Sequence, residues 1–242
     1  MDPHPGVSLN DLGDIQRECG QADCISSYVE AAEMANRAGD RAGLAAVALN
    51  LTQAHIALPA VRDLEEAERW CRHSLEMYGQ EQRHGRAQCL GLLGLVAHER
   101  FKEARAGKWP RAKLVEYLDA ARRAYREALA LLPSDAVDDL SVTHNQLGNV
   151  CRSAGDVDGA VSHYQNAIRY DEKRGDLYSA ALNRKNATLA LIDIGRLGDA
   201  RAYALAALRN YETYGDRAAD EIEQTQRLLA QIDQTLATTR PS

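Results

Sequence analysis

The histidines and cysteines are the residues of this 242-residue chain best suited to chemistry, and their spacing does not support the reactions they suggest. His98-Glu99 begins as a zinc-hydrolase helix begins, a ligand beside a general base, but the second ligand position holds Lys102. Cys19, Cys24, Cys71, Cys89 and Cys151 are odd in number, irregularly spaced and without a CxxC pair. They read as reduced thiols serving as small core residues. His144 and His163 fall on different expected helices and are two members of a ligand set, but no Cys or His cluster at short fixed spacing completes it. The Leu-Gly-rich run at 90–95 follows no strand, so it is not a nucleotide fingerprint. No nucleophile elbow occurs. The chain is expected to be no enzyme and to use no metal or cofactor.

Composition narrows the partners. The net charge is −6, and Lys and Arg are interleaved with Asp and Glu along the whole chain. That balance argues against nucleic acid, which asks for a basic stripe, and against an anionic membrane. The first ten residues lack a signal peptide's basic and apolar segments. No apolar run approaches the roughly 18 residues that cross a bilayer. A cytoplasmic protein is expected. Ala and Leu are abundant and β-branched runs scarce, so helix should dominate.

The elements that would position any site repeat along the chain. Ser141–Asp176 laid on Ala181–Asp216 puts Gly155 on Gly195, Ala160 on Ala200, Ala167 on Ala207 and Gly175-Asp176 on Gly215-Asp216. Apolar residues within each half recur at three- and four-residue steps, which is helical spacing. Each repeat is therefore helix, turn, helix, turn, and stacking supplies the core that one hairpin lacks.

These residues resemble the tetratricopeptide repeat (TPR) family. One repeat shows His144, Leu147-Gly148, Cys151, Gly155, Ala160, Tyr164 and Ala167; another shows Leu93-Gly94, Ala121, Tyr125, Ala128 and Pro133. Leu12-Gly13, Gly20, Tyr28, Ala31 and Gly39-Asp40 fit the same pattern, as do Leu51, Ala67, Cys71 and Leu75. The period near 40 resembles the long-helix arrays of kinesin light chains and bacterial signalling regulators. His144 takes the family's Trp position, which favours packing over metal binding.

The resemblance implies an all-α, right-handed solenoid of about five hairpins in a single domain, residues 1–242. The repeats are expected near 8–40, 42–84, 86–136, 138–176 and 178–216, with a capping helix at 218–236. The third repeat holds an insertion, 102–118, with Trp109 and Pro110. It is either a loop, of the kind that often binds, or an extension of both helices.

In the family the first helix of each repeat lines the concave groove. The corresponding positions here are Asn10, Asp14, Arg17, Gln53, His98, Glu99, Asn145, Asn149, Arg152 and Lys185, with Trp109 as a candidate contact on the insertion. Asn donates and accepts, so it suits a peptide backbone. Arg152 and Lys185 suit an acidic group. The resemblance thus implies a protein–protein interaction scaffold binding a peptide or protein segment, as a monomer or homodimer. The competing reading is a peptide-responsive regulator, or a detached TPR subunit of a larger signalling protein.

Overall fold

A computed structural model describes residues 5–239, with side chains for 9–238. The reading of the first ten residues lies largely outside that range. Among the described residues there are eleven α-helices and no strand. The chain divides into two compact units, 1–132 and 133–242.

The N-terminal unit contains α1 (Pro5–Glu18), α2 (Cys24–Ala38), α3 (Arg41–Ala57), α4 (Leu64–Met77), α5 (Arg83–Ala106) and α6 (Arg111–Leu131). They pack as the hairpins α1–α2, α3–α4 and α5–α6, and α2 and α4 also pack on the helix that follows. The C-terminal unit repeats the scheme with α7 (Val137–Ser153), α8 (Val157–Lys173), α9 (Leu177–Asp193), α10 (Leu197–Glu212) and α11 (Ala219–Thr239). Leu229 and Ile232 of α11 close the core formed by Leu191, Ala200 and Ala204.

The recurring Gly-Asp pairs are the joints. Gly155, at φ 80°, takes the left-handed conformation that ends a helix at little steric cost. Asp156 then caps α8, accepting from the Gly159 N–H at 3.0 Å. Gly175 (φ 77°) and Asp176, which accepts from the Ser179 N–H at 2.9 Å, start α9 in the same way.

Helices within a hairpin meet where a tyrosine ring lies against a glycine. A Cβ on Gly148 would come within 2.5 Å of the Tyr164 ring, and the same holds for Gly13 and Tyr28. Gly94 and Tyr125 repeat the pair at 2.9 Å. In the fifth repeat the register places Thr188 where Gly148 stands and Ala204 where Tyr164 stands, both fully buried. Small against large has become medium against small, with the interior kept close-packed.

The 102–118 insertion is mostly helix. α5 continues from Gly94 to Ala106, whereas α7 stops at Ser153, five residues past Gly148. α6 likewise begins well ahead of Tyr125. Both helices gain about two turns, and only Gly107–Pro110 forms the bend.

Candidate functional site

In the C-terminal unit, α7 places Asn145, Asn149 and Arg152 within two turns on one face. The Tyr164 hydroxyl, on the buried stripe of α8, donates to Asn149 Oδ1 at 2.8 Å. Asn149 Nδ2 donates to Asn145 Oδ1 at 3.1 Å, and Asn145 Nδ2 donates to Asn183 Oδ1 on α9. Asn183 Nδ2 donates to Asp171 Oδ2 at 2.7 Å, and the Ser141 hydroxyl donates to the other carboxylate oxygen at 2.5 Å. Burial pushes the Tyr164 hydroxyl's pKa up, keeping it a donor. The row thus begins in a buried polar network and ends at a half-buried surface.

At the edge of the row, Arg152 Nε meets Asp193 Oδ2 at 2.7 Å, and Lys185 Nζ donates to Gln224 Oε1 of α11 at 2.6 Å. The cationic patch implied by Arg152 and Lys185 is therefore tempered by Asp193.

The N-terminal unit carries a related arrangement. Tyr28 donates to Asp14 Oδ1 at 2.7 Å, and Asn10 accepts from Asn50 of α3 at 3.0 Å. Arg17 bridges the Tyr28 hydroxyl and Gln53 Oε1, both at 3.2 Å. Burial and the Asp14 carboxylate push the Tyr28 pKa up. Glu99 bonds Arg62 at 2.9 Å and Lys102 at 2.6 Å.

His98 departs from the expected groove position. It is 2% exposed and stacks on Phe101 at 6.0 Å. Its counterparts Arg17 and Arg152 stand at helix ends, but α5 and α6 run on for two more turns and enclose this position. Burial, with Lys102 nearby, lowers its pKa to about 4. Trp109 is half exposed at the bend of α5–α6.

His144 Nδ1 and His163 Nδ1 lie 3.0 Å apart, with the His144 ring stacked on Tyr170 at 5.8 Å. Burial, then the neighbouring His163, lowers the His144 pKa to about 4. Among the described residues no three His, Cys, Asp or Glu side chains converge as metal ligands, and no helix is long and apolar enough to cross a membrane.

Asn183, Asp171 and Ser141 were not singled out from sequence. Asp171 gives the one usable signal: a carboxylate on α8's buried stripe, forty residues before the fully buried Tyr211.

The solved structure of BtubC (BKLC) from P. vanneervenii is similar in fold. The TM-score is 0.61 at 14% identity, over 90% of this chain and 92% of that one. The likeness shows the fold, an all-α array of TPR-like hairpins. No protein-family model and no curated protein matches the chain.

Proposed function

We propose that the chain is a protein–protein interaction scaffold that holds an extended partner segment along the α7–α9 face. The observation behind this reading is the state of Asn149. Its oxygen accepts once, from Tyr164, and its nitrogen donates once, to Asn145. One N–H and one lone pair are left, the complement of a peptide group. The inward bonds hold the amide in place, so little side-chain entropy is lost on binding.

Arg152 sets the preference for an acidic group. Its pair with Asp193 is exposed, and such pairs contribute about 0–1 kcal/mol, so a ligand carboxylate competes well for the guanidinium. None of the five cysteines is joined in a disulfide and four are buried, in keeping with a reducing, cytoplasmic setting.

The experiment is selection of a random peptide display library on the immobilised chain. Enrichment of a common acidic motif that binds an Arg152→Glu variant more weakly supports the reading. Failure to enrich any motif, or motifs that ignore the substitution, contradicts it.

A further inference from the structure

The balance of charge over the whole chain conceals one local departure. Between 102 and 113 stand Lys102, Arg105, Lys108, Arg111 and Lys113 against the single carboxylate Glu103, in a protein of net charge −6. These residues form the tip of the α5–α6 hairpin, with Trp109 at its apex. Lys102 is paired with Glu99 and Lys113 with Glu116. Arg105 lies over the Phe101 ring at 5.4 Å. Lys108, Arg111 and Lys113 flank an indole that is 52% exposed, and Val115, 47% exposed, follows one turn into α6.

The bend that displays Trp109 is firmly built. Gly107 N–H donates to Glu103 O at 2.8 Å, and Trp109 N–H donates to Ala104 O at 2.9 Å. Lys108 takes φ 55°, a left-handed conformation uncommon for a side-chain-bearing residue. A Cβ at Gly107 would meet the indole Nε1 at 2.9 Å, so glycine makes room for the ring. The tip therefore presents a large amphipathic ring to solvent at a fixed position, with cationic residues on either side of it in the sequence.

We propose that this tip is a docking element for an anionic lipid surface. Tryptophan favours the headgroup level, where its ring is half buried and its N–H stays wet. Cations beside it add attraction to anionic headgroups. A convex tip suits a flat, soft surface. The two added turns make each arm of this hairpin about 10 Å longer toward its bend than those of α7–α8, more than the roughly 8 Å Debye length at physiological salt. Carboxylates at the far end of α5 and α6 are thus largely screened from a surface that the tip touches.

The test is vesicle flotation of the full chain, with tryptophan emission recorded in a Trp70→Phe background whose circular dichroism matches the parent. Vesicles of equal parts phosphatidylcholine and phosphatidylglycerol should float the protein and shift Trp109 emission to the blue. Phosphatidylcholine alone should do neither. Lys108→Glu with Arg111→Glu should weaken partitioning by about fivefold or more per cation lost, and added salt should do the same. No flotation on anionic vesicles, equal flotation on neutral ones, or indifference to the charge reversal would overturn the proposal. So would a blue shift produced by a glutamate-rich peptide and not by vesicles, which would make the tip a protein contact.

Discussion

The hydroxyl of Tyr164 donates to Asn149 Oδ1 at 2.8 Å, tying the core of one hairpin to the polar face that it presents. In the first repeat Asp14 receives the Tyr28 hydroxyl at 2.7 Å, so a carboxylate fills the same role. Asn149→Ala would leave a buried hydroxyl without its acceptor and should cost about 1–3 kcal/mol. Asn149→Asp keeps the acceptor and should cost much less. Urea denaturation of both variants checks this, and equal losses would contradict it.

The Gly148–Tyr164 pair predicts a coupling. Gly148→Thr alone drives a side chain into the ring and should destabilise by about 1–3 kcal/mol. Tyr164→Ala alone leaves a cavity and should cost about 3–5 kcal/mol. Together they copy Thr188 and Ala204 of the fifth repeat, so the double variant should be more stable than the sum of the single losses predicts. A double-mutant cycle measures the difference, and strict additivity would show that the two residues do not share one packing site.

The fold was largely legible because its signals are local. Gly155-Asp156 and Gly175-Asp176 announce a left-handed helix end followed by a capped start, and both do so within a few residues. The site was legible only in outline. That Asn149 stands on the outward face of α7 follows from spacing; that its oxygen is engaged by Tyr164 depends on how two helices meet. The reading of His98 as exposed assumed helices of ordinary length. The sequence left the insertion open between a loop and an extension of both helices; the stretches on either side of Gly107–Pro110 are good helix formers, and their added turns enclose the imidazole.

His144 predicts a pH effect in the C-terminal unit. Its folded pKa, about 4, lies below the ordinary value of 6.5, so its contribution to stability is present above about pH 6.5 and is lost as pH falls toward 4. His144→Gln should flatten that part of the stability curve, by up to about 2 kcal/mol between pH 6.5 and 4.5. Thermal melts of parent and variant across this range supply the measurement. Parallel curves would show that His144 is protonated in the fold as readily as in water.

The interaction reading predicts a division of labour along the α7–α9 row. Lys185 holds Gln224 at 2.6 Å through an exposed contact, so Lys185→Ala should leave the melting temperature within a degree or two of the parent, because surface contacts of this kind contribute little. It should nevertheless weaken an acidic peptide. A drop in melting temperature without any change in binding would make Lys185 a structural tie between α9 and α11.

The most direct measurement is a calorimetric titration of a selected acidic peptide into the parent chain, Asn149→Asp and Arg152→Glu, at low and physiological salt. The α7–α9 reading predicts tenfold or greater weakening for Arg152→Glu, roughly the 1.4 kcal/mol of a charged hydrogen bond, a smaller loss for Asn149→Asp, and weaker binding of the parent as salt rises. Unchanged affinity in both variants would contradict it and place the peptide elsewhere on the chain.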